Sequence, residues 1–273
     1  MNRYSVALKP LAFLAVDVME AASYRFAFVS QFGGIFMLLL VTFFLSQLVG
    51  KTMLPQLEPY GGDYFSFVLI GVSLATYTSV SLDVFQQSMR RLQVTGTLEV
   101  MLGTQTSLST IVLSSSLYGF LLGTLHVLAY FGAGVVLFGV SVVTANLFSA
   151  LLVLLLTVFS TAGIGLVAAS IAVVIKKGDP VTALFNAGAM VLSGVIYPVN
   201  VLPPALQSLS VFLPITHGVE AMRLVLLKGA SLQQTLPHLL ILAAFAVVLV
   251  PAGLLLFHIA VNKARRDASL GHY

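Results

Sequence analysis

Two stretches of this chain hold residue types able to do more than pack. The first runs from Arg90 to Thr104 and contains Arg90, Arg91, Gly96, Thr97, Leu98, Glu99, Met101 and Leu102. Thr97 is placed to cap a short helix beginning at Leu98, with Glu99 near its positive N-terminal end. Leu98, Met101 and Leu102 then share one face at i, i+3 and i+4. A short polar-flanked helix with an apolar stripe suits docking into a groove on a soluble partner; capping of the chain's own bundle is the plainer alternative. The second stretch, Gly194 to Arg223, holds four of the ten prolines, Pro198, Pro203, Pro204 and Pro214, together with Tyr197 and His217. Its Glu220 and Arg223 are spaced i, i+3 and can pair on a helix. Charges near membrane depth are costly and mark functional candidates, although a structural ion pair shaping the external end satisfies the same spacing.

Other chemistries find no support in the residues. Gly50-Lys51-Thr52 resembles the end of a phosphate-binding loop, but the position five before Gly50 is Leu45 rather than glycine, and the motif follows an apolar run rather than a strand. There is no His-Glu-x-x-His and no Gly-x-Ser-x-Gly. His126, His217, His238 and His258 are scattered through different segments, and the absence of cysteine removes thiolate chemistry and Cys-based metal sites. No catalytic residue, bound cofactor or metal is expected in this chain.

The elements that position these residues follow from composition. The chain is 59% hydrophobic and only 8% charged, against roughly 25% charged residues in soluble domains, which excludes a soluble globular protein. Residues 1–25 read as an amphipathic helix with Asp17, Glu20 and Tyr24 on one face and Leu11, Leu14 and Val18 on the other, lying on the cytoplasmic membrane surface. Residues 26–262 read as an all-α polytopic membrane domain. Its apolar runs predict six spans at about Phe28–Val49, Tyr64–Val84, Ser109–Phe138, Leu147–Val174, Val181–Tyr197 and Leu236–Val261. The polar segment Gln86–Ser107 follows the second span, and residues 263–273 form a basic tail. Small residues at Ser115, Gly119 and Gly123, and at Gly165 and Ala169, permit close helix packing within the chain or across a dimer seam.

Basic residues set the orientation. With the N-terminus inside, Arg3, Lys9, Arg25, Arg90, Arg91, Lys176, Lys177, Lys263, Arg265 and Arg266 are cytoplasmic, ten of the thirteen, leaving Lys51, Arg223 and Lys228 outside. A full crossing by Leu206–Leu227 would make seven spans and put the basic tail outside. The prolines therefore predict a broken, re-entrant external element at about 198–230, with short helices at Leu206–Leu213 and near Glu220, since irregular backbone at membrane depth is tolerated where protein buries it. An external gate is the role that this placement suggests for it.

In order and spacing, these residues resemble the ABC type-2 permease family, the membrane subunits of ATP-driven exporters. The resemblance rests on Arg90, Arg91 and Gly96 to Glu99 after the second span. It rests equally on Gly194 to Pro198, Leu202-Pro203, Leu213 to His217, Glu220 and Arg223 late in the chain. It implies that a separate nucleotide-binding ATPase, carrying ATP and magnesium, docks on a coupling helix at about 96–104. It also implies two permeases and two ATPases per transporter, in the plasma membrane, with the substrate path between the permeases. Few charges in the spans favour a hydrophobic or amphiphilic cargo such as a drug, a lipid or a lipid-linked glycan; no nucleic acid is expected as a partner. An ion-coupled secondary transporter or channel would need breaks in both halves of a repeat, and only the C-terminal half has one. An ABC importer permease is the other alternative: Glu99 and Gly103 match the Glu-x3-Gly of its coupling loop, but the flanking residues do not continue that pattern.

Overall fold

The computed structural model describes residues 3–49, 55–61, 63–104, 106–141, 143, 146–175 and 179–266. The side chains of Arg3, Arg25, Leu98, Glu99, Leu102 and Arg265, and residues Lys51, Lys176, Lys177 and 267–273, lie outside the described set. The described chain is helical throughout: α1 Arg3–Ser23, α2 Arg25–Val49, α3 Tyr64–Val94, α4 Thr97–Leu102, α5 Leu108–Phe138, α6 Leu147–Ile175, α7 Asp179–Leu192, α8 Pro204–Ser210, α9 Pro214–Lys228 and α10 Leu232–Arg266. Short 3-10 turns at Pro55–Tyr60 and Val199–Val201 connect them.

Among the described residues, four helices are long and apolar enough to cross a bilayer, at 64–94, 109–138, 147–174 and 232–263. A fifth span is reached if α8 and α9, which meet at 88°, count as one bent element. The expected first span lies in α2, a helix of 25 residues in which Phe32–Leu48 is the apolar stretch among the described residues, and the expected fifth contributes Thr182–Leu192; six full crossings are not established by these helices.

Several expected boundaries move, each for a local reason. Asp63 caps α3, its carboxylate accepting from the Phe65 and Ser66 amides, but the helix does not stop at Val84. It runs on to Val94, because Phe85, Met89 and Leu92 keep one apolar stripe buried through the polar stretch. The expected fifth span Val181–Tyr197 ends early: α7 stops at Leu192, and Gly194 takes a left-handed φ of 75° that turns the chain back. The last helix is longer than Leu236–Val261, running through Pro237 and Pro251 from Leu232 to Arg266.

α3 contributes to five apolar clusters among the described residues, and two of them position the candidate sites. At one end, Phe85 and Leu92 pack with Ile111 of α5, Leu166 of α6 and Phe257 of α10. At the other, Ile70 and Leu74 pack with Val153 of α6 and with Ile215, Val219, Met222 and Val225 of α9. α6 and α10 approach backbone to backbone, since a Cβ on Gly163 would stand 2.6 Å from the Leu249 carbonyl carbon. In lipid such packing, rather than exclusion of water, holds helices together. The small-residue repeats serve the same purpose inside the chain: Gly119 meets Val84, Gly123 meets Tyr77, Gly165 meets the Ser81 carbonyl, and Ala169 is buried in the first core.

Candidate functional site

The first candidate site begins where α3 ends. The Thr95 amide donates to the Arg91 carbonyl, and Gly96, with φ 68°, reverses the chain into α4. Thr97 does not cap a helix from Leu98 as expected. It is the first helical residue, and its hydroxyl lies 2.8 Å from the Thr95 hydroxyl and also donates toward the Leu92 carbonyl. Ser and Thr hydroxyls readily bond nearby backbone in this way, so α4 is stitched to the helix before it. Met101 packs against the core of Phe85, Met89 and Leu92, whereas Val100 is 73% exposed. The helix is thus anchored on one face and free on another. The expected contributions of Leu98, Glu99 and Leu102 fall on side chains outside the described set.

Arg90 and Arg91 lie on the last turns of α3, not in a loop, and Arg91 turns toward α1. Its Nη2 meets Asp17 Oδ1 at 2.7 Å, and its Nη1 stands 3.6 Å from Glu20 Oε2. Lys9 Nζ donates to the Thr106 hydroxyl at 2.8 Å, tying the other half of α1 beyond α4. Of the expected polar face of α1, Asp17 packs inward at 5% exposed, whereas Glu20 and Tyr24 stay exposed, as do Leu11, Val18 and Met19. Burial holds the Asp17 carboxyl above its ordinary value, and the Arg91 charge pulls it partly back. Between α1, the end of α3 and α4 lies a groove of about 410 Å³.

The second candidate site is organised by Arg223, which is 1% exposed. Its Nη1 donates to the Gly194 carbonyl and its Nη2 to the Val195 carbonyl, both at 2.8 Å, and its Nε to the Phe67 carbonyl at 3.1 Å. Backbone turned out of a helix leaves carbonyls that must find donors; a planar guanidinium fork supplies three. The expected partnership with Glu220 takes another form. Glu220 accepts from the Tyr60 hydroxyl, 2.8 Å from both carboxylate oxygens, and the Tyr60 ring stands 5.9 Å from the Arg223 guanidinium. Burial first, then the Glu220 charge, push the Tyr60 hydroxyl up, so it remains a donor. Tyr60 is the residue that spacing could not find, because it comes from the turn before α3, far away in sequence.

The prolines break the chain where expected. Pro203 precedes α8 and Pro204 opens it, and Pro214 opens α9 at its first turn. Tyr197 donates to the Val191 carbonyl at 2.5 Å, and Pro198 is buried. The His217 Nε2 lies 2.9 Å from the Val211 carbonyl, and its ring lies against His238 at 5.8 Å. The structure thus brings Glu220, Arg223 and His217 together on α9, with Tyr197 and Pro198 beside the Arg223-bound backbone. Pro203 and Pro204 stay at the exposed end. Among the described residues no group of His, Asp and Glu is arranged to hold a metal ion.

Comparison with known proteins now adds to this geometry. Residues 17–227 match the model of the ABC-2 type transporter family. The chain is 28% identical over 190 residues to Nodulation protein J of Rhizobium meliloti (strain 1021), covering 69% of this chain and 71% of that protein. It is 28% identical over 191 residues to Nodulation protein J of Rhizobium leguminosarum bv. viciae, covering 69% and 72%.

Proposed function

We propose that this chain, which belongs to the ABC-2 type transporter family, is the permease subunit of an exporter driven by ATP hydrolysis on a separate subunit. One observation carries the reading. α4 is a short helix set off by Gly96, anchored through Met101 and exposed at Val100, at the end of a helix long enough to carry motion into the bundle. A partner that moved α4 would move Met101, and with it the core shared by α3, α5, α6 and α10. ATP and magnesium would sit on that partner, consistent with the missing phosphate loop.

In this reading the plasma membrane is crossed six times, by α2, α3, α5, α6, α7 and α10, with both termini on the cytoplasmic side. α8 and α9 form the external re-entrant element, and two copies of the chain enclose the path. Arg223, Glu220 and Tyr60 hold the irregular backbone at 194–198 against α3, so the element moves as a unit and gates release. The cargo is hydrophobic or amphiphilic, in keeping with spans almost free of charge. The test is co-purification with an ATP-hydrolysing subunit and measurement of its turnover. Association and coupled hydrolysis should fall on Glu99→Arg or Leu98→Asp with membrane insertion intact; unchanged association and transport in both variants would refute the docking assignment.

A further inference from the structure

The groove beside α4 has an acidic wall and an apolar floor. Phe13 and Val16 of α1, Leu92 of α3 and Met101 of α4 supply the floor. Asp17 and Glu20 face Arg91, two carboxylates against one guanidinium. Arg91 engages Oδ1 of Asp17, while Oδ2 is buried without a hydrogen-bond partner. A buried carboxylate oxygen left without a donor costs free energy that an added donor recovers.

We propose that this groove seats a basic side chain of the ATP-hydrolysing subunit, an arginine or lysine toward which the Asp17 carboxylate turns its buried, unpartnered Oδ2 as Arg91 yields, and whose apolar stem lies on the floor. This rests on the reading of α4 as the docking helix. Location favours a protein partner over the bilayer. At 31 residues, α3 is about 46 Å long, well beyond the ~30 Å hydrocarbon thickness. The groove lies at its last turns, among Thr95 and Thr97, and α4 itself forms one wall. A partner seated on α4 therefore reaches the groove without a further surface, and meets there two carboxylates against one guanidinium. Arg91 is in this view a resident competitor for the carboxylate, displaced in part when the incoming cation arrives.

The two residues then give effects of opposite sign. The experiment is the equilibrium affinity of the ATP-hydrolysing subunit for the intact permease in phosphatidylcholine nanodiscs. Asp17→Asn should weaken it by at least about tenfold, the scale of one charge-assisted hydrogen bond, and Arg91→Gln should tighten it. Equal weakening by both would mean that the pair only tethers α1, which overturns the proposal. Where Asp17→Asn disturbs insertion, Glu20→Gln, at an exposed acid on the same wall, should weaken affinity by a smaller factor. Val100→Asp on α4 separates the two levels. If it weakens affinity and Asp17→Asn does not, the groove proposal fails and the α4 reading stands; if only Asp17→Asn weakens it, the α4 reading fails instead. Loss of bound phosphatidylethanolamine on Asp17→Asn, with affinity unchanged, would assign the groove to a lipid amine and overturn the proposal.

Discussion

The guanidinium carbon of Arg223 lies 3.3 Å from the centroid of the Phe67 ring, and Arg223 Nε donates to the carbonyl of that same Phe67. One residue near the start of α3 thus offers both a π-face and an acceptor to a buried cation. The other two donor groups hold Gly194 and Val195. α9, the irregular backbone after α7 and the start of α3 are joined through a single side chain.

Replacing Arg223 should therefore disturb three elements together. Arg223→Leu leaves the carbonyls of Gly194, Val195 and Phe67 without their donor, at about 1–3 kcal/mol for each that stays unsatisfied. Thermal unfolding in nanodiscs should show a loss of at least about 2 kcal/mol on that scale. Arg223→Lys should recover only a small part, because an ammonium lacks the planar fork.

Gly71 stands where α3 meets the turned-back chain. A Cβ there would overlap the Val195 carbonyl oxygen and come 2.7 Å from Arg223 Nη2. Gly71→Ala should destabilise the protein by about 1–3 kcal/mol, the range for overpacking a tight site. Unfolding measured beside Gly188→Ala, where a Cβ meets open space, isolates the effect of contact from that of glycine itself.

Tyr60→Phe removes the hydroxyl that donates to Glu220 while keeping the ring beside Arg223. The expected cost is about 1.5–3 kcal/mol, as for a hydrogen bond to a charged group, felt on the external side. The chain has no cysteine of its own, so a single cysteine at Val201 would report by its labelling rate. That rate should rise in Tyr60→Phe with ATPase association unchanged. A fall in association with no change in labelling would show that the Tyr60–Glu220 bond does not restrain the external element.

Dependence on pH follows from Asp17. Its folded carboxyl titrates above the ordinary value of 3.8 because burial outweighs the Arg91 charge. The groups facing it are Arg91 of α3, Glu20 of its own helix and Tyr118 of α5. Ionised Asp17 is favoured less in the folded than in the unfolded chain. Its contribution to folding therefore weakens as pH rises through the raised pKa, and Asp17→Asn should leave the unfolding midpoint at pH 7 unchanged or higher. Association has the opposite sign, since the carboxylate must be charged to accept a cation. The affinity difference between wild type and Asp17→Asn should vanish as pH falls through that pKa.

Long apolar runs made α5, α6 and α10 legible in the sequence, and the prolines placed the starts of α8 and α9. The tail of α3 was hidden because Gln86, Arg90 and Gln93 mask a buried stripe of Phe85, Met89 and Leu92. The i, i+3 spacing drew attention to Glu220 and Arg223, whose charges do act on each other, but it did not reveal their hydrogen-bond partners. Tyr60 comes from a distant turn, and the hydrogen-bond partners of Arg223 among the described residues are three backbone carbonyls, which leave no trace in residue type. The same holds for Arg91. Its charge was visible, and its direction, toward Asp17 rather than toward a partner, was not.

The proposed grip of an ATP-hydrolysing subunit on this permease is at α4. The most direct measurement is the affinity of that subunit for the nanodisc-held permease, with its hydrolysis rate, for wild type and Val100→Asp. Association should weaken and coupled hydrolysis should be lost in the variant, with the unfolding midpoint preserved because Val100 is exposed. Unchanged affinity and unchanged coupling in a correctly inserted Val100→Asp would contradict a grip at α4.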